Sequence, residues 1–379
     1  MTVSNEMRTS RLLTIFLLLS PGITLAGDKD VQRFVEKHAK PLESSGKVCG
    51  FVIGGIQGDQ RVVLGFGQRV MGKGERPDGD TVYEIGSVTK GLLTTIFADM
   101  VLDGTVRRDD LLRDVLPKEV KVKSYQGVDG EHPIQLEHLA MHTAYLNDFP
   151  DDVDPSLESY NRSKIFAYLG RYPTFMQPGA IFDYSNYGAS VLGLALSEKS
   201  GLPYDELFRK RIFAPLKMER TTIRPVKLDG NNIAPPYSTD LKPASPFPDS
   251  DLANLCGGIR SCGHDMMKFA TACVDERSKL YRSVRLAIQP RFGSYARGGK
   301  IESLRGYSWY YPPTEGILTA IHPGDTMGYS CILIFDTTKK RAVFMLCNTR
   351  AASIVYQTGM NIYHELGGYK KQPMSLESK

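Results

Sequence analysis

The stretch Gly86-Ser87-Val88-Thr89-Lys90 stands directly before a long apolar segment that ends at Gly104. Apolar residues recur in that segment every three or four positions, which predicts a helix from Val88 to Asp103. Ser87 then lies at the start of the helix, and Lys90 lies one turn further on the same face. The N-terminal end of a helix favours negative charge, so an oxyanion forming beside Ser87 would be stabilised there.

A serine hydroxyl needs a base before it can act as a nucleophile. Lys90 serves as that base only if burial or nearby positive charge lowers its pKa. The pattern Ser-x-x-Lys is weak by itself, since Ser44-Ser45-Gly46-Lys47 fits it without a following apolar helix. An isolated match is more often a serine helix cap with a solvated lysine.

Two further segments carry candidate chemistry. Phe182-Asp183-Tyr184-Ser185-Asn186 precedes an apolar helical pattern and offers a phenol for proton transfer and an amide for binding a substrate amide. Tyr145-Leu146-Asn147 fits the same short pattern and lacks that context. The segment Ala320 to Gly328, which contains His322-Pro323-Gly324, is a predicted strand that runs into a glycine-flanked turn, where a backbone can approach a ligand closely.

Composition describes a large globular protein. The chain has 379 residues, of which 41% are hydrophobic and 23% are charged, so it is neither disordered nor fibrous, and a small disulfide scaffold is excluded. The net charge of +5 arises from basic residues spread along the chain, which gives no argument for nucleic-acid binding.

The order of the predicted elements indicates an α+β fold. A helix over Val31 to His38 is expected to end before Pro41, and a β-hairpin joins Val48 to Ile56 with Arg61 to Phe66. The middle of the chain, Leu111 to Ala287, is mainly helical, and a final helix covers Ala352 to Leu366. The predicted C-terminal strands are Tyr307 to Tyr311, Ile317 to Ile321, Tyr329 to Phe335 and Ala342 to Cys347. We therefore expect one sheet built from both chain ends, with a helical region inserted between them.

The first residues have the pattern of a secretory signal peptide. Arg8 and Arg11 precede the apolar run Leu12 to Leu19, and small residues follow up to Ala26. The run is shorter than the roughly 20 residues that span a membrane, and no later stretch is long enough. Cleavage after Ala26 and a periplasmic or secreted location are expected.

The six cysteines form neither a redox pair nor a zinc cluster by spacing, and most are expected to be buried thiols. A local disulfide between Cys256 and Cys262 remains open, because an oxidising compartment permits it without requiring it.

Ser87-Val88-Thr89-Lys90, Tyr184-Ser185-Asn186 and His322-Pro323-Gly324 together resemble the motifs of penicillin-recognising serine hydrolases, in order and in approximate spacing. The chain is most similar to class C β-lactamases and to their relatives, the low-molecular-weight penicillin-binding proteins and esterases. The resemblance covers most of residues 27–379. It implies a β-lactamase/transpeptidase-like antiparallel sheet with an α/β lobe over about 27–85 and 290–379, and a mainly helical lobe over about 86–289.

The resemblance also implies roles for single residues. Ser87 would be the acylated nucleophile, Lys90 would share its activation, and Tyr184 would pass protons. Asn186, His322 and Gly324 would contact the substrate, and the backbone N–H groups of Ser87 and Asp325 would form the oxyanion hole. Neither a metal nor another cofactor is expected, and His138 and His142 are interpreted as structural.

The sequence departs from the family at His322, where a lysine is usual. A carboxylate substrate is therefore expected to bind better as the imidazole gains charge below about pH 6.5. The departure leaves several activities open. The leading hypothesis is hydrolysis of a β-lactam or of a peptidoglycan D-alanyl peptide. An esterase or acyltransferase is the nearest alternative. A penicillin-binding sensor that is acylated without turnover is an alternative from another class of protein.

Overall fold

The main sheet of the protein joins strands from distant parts of the chain. The computed structural model describes residues 29–154, 156–172, 175–224, 232–295, 301–312 and 319–367, so the predicted signal segment lies outside it. The helices are α1 (Lys29–Ser45), α2 (Val88–Leu102), α3 (Leu112–Val115), α4 (Leu136–Ala140), α5 (Arg162–Arg171), α6 (Asn186–Ser200), α7 (Tyr204–Phe208), α8 (Asp251–Gly257), α9 (Gly263–Val274), α10 (Tyr281–Ala287) and α11 (Ala352–Leu366). The strands are β1 (Gly50–Gln57), β2 (Gln60–Gly67), β3 (Val82–Glu84), β4 (Tyr125–Gly127), β5 (Gly130–His132), β6 (Arg260–Cys262), β7 (Phe292–Tyr295), β8 (Ile301–Arg305), β9 (Tyr310–Tyr311), β10 (Thr319–Asp325), β11 (Ser330–Asp336) and β12 (Arg341–Cys347).

Among the described residues, the main sheet has eight antiparallel strands in the order β2-β1-β12-β11-β10-β9-β8-β7. Phe51 of β1 lies opposite Cys347 of β12, so the N-terminal hairpin pairs with the C-terminal strands. The predicted α+β fold, with one sheet from both chain ends, is confirmed. Short ladders join β3 to β6 and β4 to β5.

Side chains alternate between the two faces of the sheet, because successive residues of a strand point to opposite sides. Ile332 and Ile334 of β11 join α1 and α11 in one apolar cluster. Cys331, Leu333 and Phe335 of the same strand join the larger cluster formed with the helical region. His322 and Gly324 of β10 have the same parity as Ala320, which belongs to the helical cluster, so they face the helical region.

Helix α2 lies inside this larger cluster. Twelve of its fifteen residues are buried, including Lys90. The predicted helix is confirmed, and its burial on all sides explains why both of its faces carry apolar or small residues. In the described part of the chain, none of the helices combines the length and apolar character needed to cross a membrane.

Two local predictions were wrong. Helix α1 continues through Pro41 to Ser45, because Leu42 extends the buried stripe of Val31, Val35 and Ala39 beyond the proline. That burial offsets an interior proline cost of about 3 kcal/mol. The strand predicted over Tyr307 to Tyr311 is reduced to Tyr310–Tyr311, and the edge strand β7 and its neighbour β8 were not predicted.

Candidate active site

Ser87 lies where a strand turns into the buried helix α2. Gly86 makes this turn with φ +52°, a left-handed conformation that suits glycine. The residue before this turn is held by a backbone hydrogen bond, in which the Ile85 N–H donates to the carbonyl of Ile259 at 2.9 Å. The Ser87 side chain is thereby held at the N-terminal end of a buried helix, as the sequence predicts.

The structure brings Ser87, Lys90, Tyr184 and Asn186 together. Lys90 Nζ donates to Ser87 Oγ at 3.0 Å, and the Tyr184 hydroxyl donates to the same oxygen at 2.9 Å. Lys90 also donates to Asn186 Oδ1 at 2.6 Å and to the carbonyl of Cys256 at 2.5 Å. An ammonium has three N–H groups, so these three acceptors match its full donor capacity.

Burial gives Lys90 and Tyr184 different protonation behaviour. Lys90 is fully buried, and burial lowers its pKa to about 8. Burial raises the pKa of Tyr184 above its ordinary value, although the contact with Ser87 opposes part of that rise. At neutral pH the phenol is therefore protonated, while about a tenth of the lysine is a neutral amine. Lys90 can accept a proton and Tyr184 can donate one.

Tyr184 rests on the ring of His142. The two rings stack with centroids 4.6 Å apart, and His142 Nδ1 accepts a hydrogen bond from the Ser185 N–H at 3.2 Å. The other ring nitrogen of His142 faces the Ser308 hydroxyl at 3.1 Å. Burial disfavours the charged imidazole, so the pKa of His142 lies well below the ordinary value. The ring is therefore neutral, and Nδ1 carries no proton when it accepts the bond from Ser185. Ser185 caps α6 by accepting from the Gly188 N–H, which fixes the segment that carries Tyr184.

Strand β10 closes the other side of the site. A Cβ atom placed on Gly324 would lie 3.0 Å from the Ser87 backbone nitrogen and 2.1 Å from the Ile85 carbonyl oxygen. A Cβ atom on Gly86 would lie 2.6 Å from the Asp325 backbone nitrogen. The backbones of both segments are therefore in direct contact. The predicted oxyanion-hole nitrogens, those of Ser87 and Asp325, belong to these two segments.

His322 is buried rather than open to solvent. Its side chain lies between the rings of Trp309 and Tyr310, with centroids 5.9 Å and 5.5 Å away, and the residue is 1% exposed. Nδ1 lies 2.7 Å from the carbonyl oxygen of Pro323, to which it donates as Nδ1–H. Burial lowers the pKa of His322 to about 3. The expectation that this imidazole gains charge near pH 6.5 is therefore wrong, because an apolar and aromatic environment disfavours the imidazolium.

All six cysteines lie in the described part of the chain, and all are buried free thiols. The burial that the sequence predicts is confirmed. The disulfide left open between Cys256 and Cys262 is not formed in this structure.

Sequence reasoning missed two contacts of the site. The Cys256 carbonyl holds Lys90, and the Asp148 carboxylate holds Asn186 through its Nδ2 at 2.8 Å. Every residue has a backbone carbonyl group, so the residue type does not indicate which carbonyl binds Lys90. Asp148 follows the Tyr145-Leu146-Asn147 pattern in the sequence, but nothing in the spacing connects it with a residue 38 positions later.

This arrangement, a serine between a buried lysine and a protonated tyrosine, is that of a serine hydrolase. A family model described as Beta-lactamase matches residues 31–357, and the chain belongs to the beta-lactamase family. It is an enzyme of the serine hydrolase type.

Individual relatives agree with the family. The chain is 29% identical over 301 residues to the D-alanyl-D-alanine-carboxypeptidase/endopeptidase AmpH of Escherichia coli strain K12, covering 74% of each chain. It is 24% identical over 299 residues to a beta-lactamase of the same strain, covering 78% of this chain and 75% of the relative. Its fold is similar to that of a beta-lactamase/D-alanine carboxypeptidase from Yersinia pestis crystallised with citrate, with a TM-score of 0.77 and 23% identity. That alignment covers 90% of this chain and all of the other.

Proposed function

We propose that this protein is an exported serine hydrolase that forms an acyl-enzyme at Ser87 with a β-lactam or a D-alanyl peptide. The observation that carries the proposal is the pair of hydrogen bonds that Ser87 Oγ accepts, from Lys90 and from Tyr184. Relatives named as a D-alanyl-D-alanine-carboxypeptidase/endopeptidase and as a beta-lactamase support these substrate classes. The signal-like segment before residue 27 supports export.

Acylation would start from neutral Lys90. The lysine takes the Ser87 proton while Oγ attacks the substrate carbonyl, and the backbone N–H groups of Ser87 and Asp325 stabilise the resulting oxyanion. As the tetrahedral intermediate collapses, the carbon–nitrogen bond breaks and Tyr184 donates its proton to the departing nitrogen. Transfer of the proton held by Lys90 to Tyr184 restores both groups. A water then attacks the ester carbonyl and gives up one proton to Lys90. That proton is delivered to Ser87 Oγ as the carbon–oxygen bond of the ester breaks, which releases the acid and restores the serine.

An esterase or acyltransferase is the second candidate, and the burial of His322 favours it. The family strand usually carries a fixed cation at this position, whereas the imidazole here is neutral at physiological pH because its pKa is about 3. Pro323 also has no backbone N–H group to offer a substrate. A substrate without a carboxylate loses nothing from either change.

Whole-protein mass spectrometry with a penicillin, followed over time, tests the proposal. We expect a penicilloyl adduct on the wild type and on Ser44→Ala, and none on Ser87→Ala. Labelling that survives in Ser87→Ala would refute the assignment of Ser87 as the nucleophile. Ser44 is the matched control because it is an exposed serine with a lysine three residues later.

Parallel assays with nitrocefin, a p-nitrophenyl ester and a D-Ala-D-Ala peptide separate the activities. A β-lactamase or peptidase turns over the first or the third substrate. Hydrolysis of the ester alone supports the esterase, and a lasting adduct without any turnover supports a penicillin-binding sensor. The mass of the exported protein tests cleavage after Ala26.

A further inference from the structure

Asp148 lies in the loop that follows α4 and contacts the segment that carries Tyr184 and Asn186. Its Oδ1 accepts from the Asn186 backbone N–H at 3.0 Å and from Asn186 Nδ2 at 2.8 Å. Its backbone carbonyl accepts from the Tyr187 N–H at 2.9 Å. One residue thus binds the first turn of α6 through both its backbone and its side chain.

The chemistry of both neighbours fixes the orientation of the Asn186 amide. A carboxylate only accepts hydrogen bonds, so Asn186 must present its NH₂ group to Asp148. An ammonium only donates, so Asn186 must present its carbonyl oxygen to Lys90, which lies 2.6 Å away. If the amide rotated by half a turn, two acceptors would meet on one side and two donors on the other.

We propose that Asp148 is a positioning residue for acyl transfer, and that it acts by holding the Asn186 amide in the orientation that keeps Lys90 beside Ser87. The inference rests on the proposed function, because it concerns the same acylation step. One N–H group of Asn186 is committed to Asp148, which leaves a single N–H group of that amide to bind the substrate.

Asp148 also differs in charge from the other groups around Lys90. The titratable groups that face the lysine come from four other parts of the chain and are Tyr184, Cys256, His142, His322 and Asp148. Burial raises the pKa of the Cys256 thiol to about 11, and both imidazoles are neutral. Asp148 is the carboxylate of this set, and its charge raises the pKa of Lys90 against the effect of burial.

A double-mutant cycle on the rate of penicillin acylation tests the proposal. We expect Asp148→Ala to slow acylation about tenfold in the wild-type background and to change it less than twofold in Asn186→Ala, since no amide remains to be oriented. Equal losses in both backgrounds would overturn the proposal. Asp151→Asn, an exposed aspartate of the same loop, is the matched control and should leave the rate unchanged.

Asp148→Asn gives a second readout that a purely structural role would not move. The variant keeps an acceptor for Asn186 and loses the charge, so acylation at high pH should stay within threefold of the wild type. The rising limb of the pH profile should move to lower pH by a few tenths of a unit, as expected for loss of one solvent-exposed charge near Lys90. Acylation at high pH as slow as that of Asp148→Ala would contradict the inference, because Asp148→Asn keeps the acceptor that orients Asn186.

The outcomes separate this inference from the proposed function. If Ser87→Ala is labelled like the wild type, the proposed function fails whatever the Asp148 variants do. If labelling depends on Ser87 and the Asp148 variants behave like Asp151→Asn, only the positioning role fails.

Discussion

Gly324 of β10 and Ser87, the residue before α2, touch through their backbones, with space for a hydrogen but not for a methyl group at Gly324. The sheet and the buried helix therefore meet at the atom that the proposed oxyanion hole requires. A side chain at position 324 has to move β10 away from the start of α2, because the nearest neighbour, the carbonyl oxygen of Ile85, is a backbone atom that cannot rotate aside.

Gly324→Ala is therefore expected to slow acylation by about 10²–10³, the usual loss for one oxyanion-hole donor. Acylation by a penicillin measures the effect, and circular dichroism checks that the variant is folded. Gly170→Ala is the control, because a Cβ atom there would meet its nearest neighbour at an ordinary 3.4 Å. Unchanged acylation in a folded Gly324→Ala protein would exclude this contact from catalysis.

Lys90→Ala and Tyr184→Phe are expected to be grossly non-additive. Both residues bind the same oxygen of Ser87, so either change interrupts one proton path. The double variant should lose little more acylation rate than the worse single variant. Lys47→Ala with Tyr145→Phe, from the two other matches to these short motifs, is the control pair and should retain full activity. Loss by the product of the single factors would argue for separate roles.

The acylation rate is expected to rise with pH through about 8. Lys90 accepts a proton only in its neutral form, and burial lowers its pKa to about 8, so the rate should fall about tenfold for each pH unit below that value. Stopped-flow acylation between pH 6 and 9 measures the limb. Lys90→Arg should be inactive throughout, since a guanidinium stays charged. A limb near 6.5 would instead indicate a histidine.

His322 is expected to make the protein less stable in acid. Its pKa is about 3 in the folded protein and about 6.5 when unfolded, so the unfolded chain binds more protons between these values. The free energy of unfolding should decrease as pH falls below about 6.5, by up to about 1.4 kcal/mol per unit from this residue. Urea unfolding of the wild type and of His322→Gln should show a shallower acid dependence in the variant. Parallel curves would mean that the imidazole is accessible to protons.

Local patterns allowed the first half of the site to be predicted. Ser87 and Lys90 lie on one helix, and helical spacing alone places their side chains on one face. The β1–β2 hairpin follows in the same way from two apolar runs on either side of Gly58-Asp59. Tyr184 and Gly324 were placed by resemblance, because no local rule brings a loop and a distant strand to the same serine.

Other features depend on packing between distant segments. His322 is neutral because Trp309 and Tyr310 enclose it, and the sequence shows neither contact. Strand β8 carries Glu302 and Ser303, which interrupt the apolar alternation typical of a strand. The contact of Asp148 with the first residue of α6 joins two distant segments, so the sequence does not show it.

The site around Ser87 needs strands from both ends of the described chain. Strand β10 reaches Ser87 as part of a sheet whose neighbouring strands come from opposite ends of the described chain. Such long-range pairing forms late in folding, because a long loop has to close first. A nascent chain in which β10 to β12 have not yet been synthesised carries Ser87 and Lys90 without the strand that completes the site. We therefore expect that a chain truncated before β10 is not acylated at Ser87 by a penicillin, which whole-protein mass spectrometry would show.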